Sequence, residues 1–226
     1  DRYTAYIVGS VRWVEESGRI ISVEAQGEQL SSEQLELLEQ SFRQWTDKAG
    51  PARKPSRSRI LIIFLLIRYT GAKLSEVLGL RADRDLLLDE HTIVFRDNDE
   101  DPGAAREVHV SEKLARELGE LLGRLHSSEH GDDSASGVQQ QFSGELFAID
   151  PAFVRRKFYE RAEACGFSPR QGGPEMIRKA RSLELMRNNM PLPVVQRLLG
   201  HSTPNLTASQ VSFSDEDMRQ GKRRFM

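Results

Sequence analysis

The sequence predicts a mainly α protein with one small antiparallel β-sheet, an α+β class. Three observations predict it. Apolar residues recur at helical spacing through most of the chain, from Leu30 to Leu199. Strand-like runs cluster only between Leu86 and Val110, apart from an alternating stretch near the start. Gly or Pro marks the ends of several periodic segments, at Gly71, Pro151, Pro174, Pro191 and Gly200.

Residues 1–27 alternate apolar and polar around Glu16-Ser17-Gly18. Val11 and Trp13 on one side, with Ile20, Ile21 and Val23 on the other, predict a hairpin. This piece reads as a linker or as the end of an upstream domain, and residues 28–226 as the main domain. Leu30 to Trp45 is an amphipathic helix with Leu35, Leu38, Phe42 and Trp45 on one face. Ser31 and Gln34 have capping-box spacing, in which hydroxyl and amide satisfy orphan backbone N–H groups. Gly50 to Ser58 carries two prolines among its bases and reads as a basic loop. Arg59 to Thr70 contains Ile60 to Ile67, ILIIFLLI, and reads as a buried helix stopped near Gly71. Lys73 to Leu80 continues as a short helix. Leu86 to Leu88, Thr92 to Phe95 and Glu107 to Val110 read as strands, with a long acidic turn from Asp97 to Ala105. Glu112 to Leu125 is helical, and Ser127 to Ser143 reads as a polar loop. Pro151 to Gly166 and Pro174 to Asn188 are helices. Pro191 opens a last helix that Gly200 ends, in keeping with Pro at a first turn and Gly at a C-terminal cap.

Composition narrows the function classes. The chain has 226 residues, enough for one or two domains with a core. Its longest apolar run is far short of the roughly 20 residues that span a bilayer, so no membrane is expected. One cysteine, Cys165, excludes an internal disulfide framework and points to a reducing cytoplasm. Beginning at Asp1 rather than Met, the chain is expected to be part of a longer protein. The net charge of -2 disfavours strong non-specific nucleic-acid binding by the chain as a whole. Its distribution is more permissive: residues 151–200 hold ten bases against four acids, and Arg53, Lys54, Arg57 and Arg59 form a second basic cluster. Solvated helix faces and a DNA-contacting face both fit that pattern.

Three stretches carry a resemblance. They are Leu30-Ser31-Ser32-Glu33; Thr70-Gly71-Ala72-Lys73-Leu74-Ser75-Glu76-Val77-Leu78-Gly79-Leu80; and Pro174-Glu175-Met176-Ile177-Arg178 followed by Val194 to Ser202 with Leu199-Gly200-His201. In this order, with strands between, they resemble the catalytic domain of the tyrosine recombinases, the phage integrase family, over about residues 28–226. The resemblance implies that fold. It also implies a site in which a tyrosine attacks a DNA phosphate, two arginines grip the non-bridging oxygens, and a hairpin lysine and histidines manage protons. The residue types follow from the chemistry. Charge grows on the phosphate in the transition state, so fork-shaped donors are needed, and the nucleophile must be a hydroxyl.

This chain departs from that pattern. The first arginine position holds Lys73, which keeps the charge and loses the bidentate fork; losing one such donor typically costs about 3 kcal/mol of transition-state stabilisation. The hairpin turn holds acids from Asp97 to Asp101 and no lysine. Glu175 stands where the family has a histidine. Arg178 is kept, a basic residue follows near Lys179 to Arg181, and His201 is kept. The tyrosine position is Gln210, and the four tyrosines, Tyr3, Tyr6, Tyr69 and Tyr159, all precede it. An amide cannot form a phosphoryl–enzyme link. No active catalytic residue is therefore expected, while Lys73, Arg178, Lys179, Arg181 and His201 are expected to hold phosphate.

Plainer roles exist for each: Arg178 as an exposed helix arginine, His201 as a complement to a helix dipole, Lys73 as a solvated lysine, Glu175 as a helix-start acid. Cys165 reads as a helix-end residue, and His126 and His130 as surface residues. No cofactor and no metal are expected. The reading is an inactive recombinase-like domain that binds double-stranded DNA within a transcriptional regulator or a recombination accessory protein. Two alternatives stay open: an active site-specific recombinase or integrase, and a ligand-sensing or oligomerisation module. The basic C-terminal tail, Lys222-Arg223-Arg224-Phe225, is a candidate contact in a homo-oligomer.

Overall fold

The structure, a computed structural model, describes the backbone of residues 5–8, 11–16 and 19–24 and the segments 30–96, 105–130 and 146–200. The first piece is a meander of three antiparallel strands, β1 (Ala5–Val8), β2 (Val11–Glu16) and β3 (Arg19–Glu24). The expected hairpin is its second half, with Glu16 opposite Arg19 and Val14 opposite Ile21. A further strand precedes it.

The main body is built around one helix. α1 (Ser32–Asp47) starts at the expected capping box. Gln34 N–H donates to the Ser31 hydroxyl at 3.1 Å, and Ser31 N–H donates to Gln34 Oε1 at 2.9 Å. The segment read as a basic loop is instead a 3-10 turn, Pro51–Arg53, running straight into α2 (Lys54–Thr70). The reason is positional. Pro55 sits in the first turn of α2, where a missing N–H costs nothing and a fixed φ favours the helix. Every residue from Ile60 to Ile67 is buried. An all-round apolar helix must be covered on every side. α1 covers it, as do α3 (Leu74–Leu78), α5 (Glu112–His130) and α7 (Pro174–Arg187).

Between these lie α4 (Ala82–Asp85) and the sheet β4 (Leu86–Leu87), β5 (Thr92–Phe95) and β6 (Arg106–His109). Its order is β4-β5-β6, all antiparallel, with Ile93 opposite Val108 and Phe95 opposite Arg106. The acidic turn of this hairpin lies outside the described residues. α5 runs to His130, past the expected start of the polar loop at Ser127. α6 (Pro151–Ala164) is capped by Asp150, whose carboxylate accepts from the N–H groups of Ala152 and Phe153. α8 (Leu192–Leu199) ends at Gly200, whose φ of 65° is the left-handed conformation expected of a C-terminal glycine.

Phe42 of α1, Phe64 of α2 and Phe158 of α6 form the centre of the core. Phe42 and Phe64 stack at 4.3 Å, and Phe158 meets Phe42 edge-on at 5.1 Å. Trp45, expected on the same face, is only half-buried; the core position one residue on is taken by Thr46, whose hydroxyl donates to Phe42 O. Among the described residues no helix is long and apolar enough to cross a membrane. Truncating Phe64 to Ala removes a ring that touches two others. It is expected to destabilise the fold by about 3–5 kcal/mol, measured as a shift in urea denaturation midpoint.

Candidate functional site

Two of the residues singled out by sequence, Lys73 and Arg178, lie where α2 and α8 end and α3 begins. α2 must stop inside the protein because it is covered on all sides from Ile60 to Ile67. Gly71 ends it with φ 69°, and a Cβ placed there would lie 2.3 Å from Leu199 Cδ2. Only glycine fits both the left-handed backbone and the close approach of α8. Its carbonyl is one of the acceptors that a helix C-terminus leaves unpaired. Arg178, one turn into α7, satisfies it: Nε donates to Gly71 O at 2.8 Å. The same guanidinium donates to Leu199 O at the end of α8, at 2.5 Å.

Arg178 thus grips the carbonyl two residues before Lys73 and the carbonyl two residues before His201. It ties the end of α2 to the end of α8. Lys73 is half-buried at the N-terminal cap of α3, and its backbone N–H donates to Glu76 Oε2 at 2.5 Å. His201 and Gln210 lie outside the described residues.

Sequence reasoning missed the partner that closes this arrangement. Arg106, at the start of β6, donates to Glu76 Oε1 at 2.8 Å and to the carbonyl of Leu198. Its guanidinium stacks over the ring of Phe95, its cross-strand neighbour, at 4.7 Å. Gly200 leaves room for it: a Cβ there would meet Arg106 Nε at 2.9 Å. Arg106 and Glu76 side chains are 9% and 6% exposed, so this is a buried ion pair. A signal was available. Arg106 and Val108 point the same way along the strand, so a base two positions before a core valine faces inward. Reading the turn to Ala105 and the strand from Glu107 left Arg106 in neither.

The remaining candidates sit nearby in different settings. Arg181 is held in the packing of α2 against α7, where it donates to Glu184 Oε2 at 3.4 Å. Burial is the main cause that holds its guanidinium below the usual range, with Glu184 opposing. Glu184 also receives a two-pronged bond from Arg68 of α2, at 2.6 and 2.7 Å. Arg181 therefore shares Glu184 with Arg68, and its Cγ lies 3.5 Å from where a Cβ on Gly71 would stand. Lys179 is half-buried, and its carbonyl accepts from the Ser182 hydroxyl. Glu175 is exposed in the first turn of α7, 3.8 Å from Arg155. Among the described residues no group of three His, Cys, Asp or Glu is placed to hold a metal ion.

Two tyrosines lie in described helices. Tyr69 donates its hydroxyl to Glu39 at 2.8 Å. Burial first, and that bond second, push its phenol up to about 12. Tyr159 of α6 packs its ring edge near Gly173, a turn and a half before Arg178.

A fold with this element order and this arginine junction can be compared with known proteins. The profile of the Phage integrase family matches residues 28–211. The chain belongs to that family. No curated protein matches it in sequence. Its structure is similar to that of XerH site-specific recombinase bound to palindromic difH substrate, with a TM-score of 0.66, 18% identity, and 88% of this chain covering 53% of that one. It is similar to the Tn1549 transposon integrase in complex with a circular intermediate DNA, with a TM-score of 0.61, 16% identity, and coverage of 90% and 68%. It is also similar to the catalytic domain of bacteriophage HP1 integrase, with a TM-score of 0.54, 17% identity, and coverage of 86% and 93%. At such identities the likeness is one of fold. The chain spans 62% of the XerA recombinase chain and about half of the XerH chain, and nearly the whole HP1 catalytic domain. Its fold is like that of a recombinase catalytic domain.

Two outcomes are expected from this geometry. Replacing Arg106 with Met leaves Glu76 buried and unpaired, and is expected to cost about 3–5 kcal/mol. In a double-mutant cycle with Glu76→Gln, much of that loss should return; a loss under about 1 kcal/mol in the single variant would show that the pair does not hold the junction. For Tyr69, the folded phenol ionises above the unfolded one. The stability it contributes is intact below pH ~10 and is lost as the pH rises through about 12, because the unfolded chain ionises first. Denaturation at pH 9 and pH 11.5 should show a smaller drop for Tyr69→Phe than for the parent chain.

Proposed function

We propose that this chain is a DNA-binding member of its family that no longer cuts DNA, serving within a transcriptional regulator or as a recombination accessory protein. One observation carries the reading: the family match runs to residue 211, and no tyrosine occurs after Tyr159. The position that resembles the nucleophile's is Gln210. An amide nitrogen is neither a competent nucleophile toward phosphate nor a leaving group that could return the strand.

The surroundings support it. Lys73 presents a point charge where a fork would match a phosphate. Glu175 adds a negative charge at the start of α7, and the hairpin turn is acidic. Tyr69 is a poor substitute nucleophile because its hydroxyl is bonded to Glu39 and its proton is hard to remove. Meanwhile Arg178, Lys179 and Lys73 keep positive charge at the junction, and residues 151–200 are strongly basic. Such a surface holds the sugar–phosphate backbone through counterion release without breaking it. The Tn1549 integrase relative is seen on DNA, and we propose a comparable docking face here.

The test has two arms. Fluorescence anisotropy with duplex DNA at rising salt should show affinity falling linearly on a log–log plot. Lys179→Gln and Lys73→Gln should each reduce that slope by about one phosphate's worth. Nicked suicide duplexes should give no denaturant-resistant protein–DNA adduct, with Tyr159→Phe as the control for a displaced hydroxyl. A covalent adduct would make the chain an active recombinase. Absence of binding at low salt would remove DNA from its function and leave a ligand-sensing or oligomerisation module.

A further inference from the structure

At the end of α2 away from the junction, α1, α2 and α6 enclose a concavity of about 390 Å³. Its wall includes Gln44, Trp45, Lys48, Arg57, Arg161 and Cys165. Arg57 lies fourteen positions before Gly71, so at 1.5 Å per helical residue this site is about 20 Å from the Arg178 junction.

The chemistry of the wall is unusual. Two guanidinium groups lie over the same indole: Arg57 at 4.7 Å and Arg161 at 5.2 Å from the Trp45 ring centre. Lys48 adds a third cation. Among the described residues none of the three lies within ion-pair distance of a carboxylate, although most other arginines of the main body find one. Two helices end here, and their carbonyls account for one guanidinium bond, from Arg57 to Trp45 O. They do not account for Arg161, whose Nε is buried without a partner, as are those of Arg68 and Arg181, but which unlike those two has no carboxylate within ion-pair distance among the described residues. Burial lowers the Arg161 guanidinium's affinity for its proton, with Glu160 opposing and Arg57 adding to the effect. Like charges packed against one ring, with a buried N–H lacking an acceptor, are a high-energy arrangement unless an anion joins them. Leu37 and Ala164 complete the wall with apolar surface.

We propose that this concavity is a binding site for a small organic anion: a carboxylate or phosphate monoester on a flat apolar body. The anionic group bridges the guanidinium groups of Arg161 and Arg57 and the Lys48 ammonium. The body lies along the exposed part of Trp45 and Leu37. A volume of this size is that of a small-ligand pocket, and the mixture of apolar wall and convergent donors suits one polar end and one apolar end. The site is separate from the DNA reading and stands if that reading fails.

The test uses the full 226-residue chain at constant ionic strength, with phenyl phosphate and benzoate as probes and benzyl alcohol as the neutral control. The chain holds two tryptophans and one cysteine. In a Trp13→Phe background the Trp45 indole N–H cross-peak reports the site, and Cys165 alkylation by iodoacetamide reports its closure. The expected result is a saturable shift of the Trp45 peak with one or both anions, slower alkylation at saturation, and no effect of benzyl alcohol. Arg161→Gln and Lys48→Gln should each weaken binding at least about tenfold, the worth of one charge-assisted hydrogen bond. Their thermal midpoints check that the fold survives. Lys73→Gln, at the distant junction, should change nothing. No saturable shift with either anion, an equal response to benzyl alcohol, or full binding by both wall variants would each overturn the proposal. A preference for phenyl phosphate over benzoate would identify a phosphate ester as the ligand, and the reverse a carboxylate.

Discussion

The junction depends on the Arg178 guanidinium and the two carbonyls it holds. α2 is apolar on all sides, so it can only exist with neighbours on all sides. That burial carries its C-terminal carbonyl out of reach of water, and a buried acceptor without a donor is costly. Arg178 answers the demand at Gly71 and makes the same bond to Leu199. One side chain therefore satisfies the ends of two helices and fixes α8 against α2. Glycine at residue 71 is the condition for this, because any side chain there would collide with Leu199.

Arg106 and Glu76 complete the same logic from the sheet side. Glu76 caps α3 at Lys73 and receives Arg106, which reaches on to Leu198. The hairpin, α3 and α8 become one unit. In an enzyme of this family such coupling would present a nucleophile-bearing segment to the phosphate held nearby. Our proposal of holding over cutting rests on Gln210 standing where the family's tyrosine is expected.

Positive charge in this protein does two different jobs. Arg68, Arg181 and Glu184 form an ion-pair cluster between α2 and α7, and Arg43 links Glu39 to Glu117 between α1 and α5. These bases are matched by acids and stabilise packing. Around Trp45 the bases are not matched by acids among the described residues. The difference between matched and unmatched arginines separates structural charge from charge available to a ligand, and net charge alone does not reveal it.

Sequence by itself determined the helix order, the small sheet and the family frame. Periodicity and Gly/Pro punctuation are local properties, and Ser31–Gln34, Asp150 and Gly200 act within one turn. The basic segment before α2 was misread because Pro55 and its neighbours look the same in a loop and in a first helical turn; the burial of Ile60 to Ile67 against α1, α3, α5 and α7 is what draws them into the helix. Tertiary structure decided the rest. Arg178 was legible as a candidate from its motif, yet its bonds to residues 71 and 199 are long-range and have no local signature. Arg181 was legible as a base near Arg178, yet the carboxylate it shares with Arg68 of α2, Glu184, was not. Arg106 and the Trp45 concavity were invisible for the same reason. Each is made of residues from three separate elements, and the energy that places them comes from burying α2, not from any pattern in their own neighbourhood.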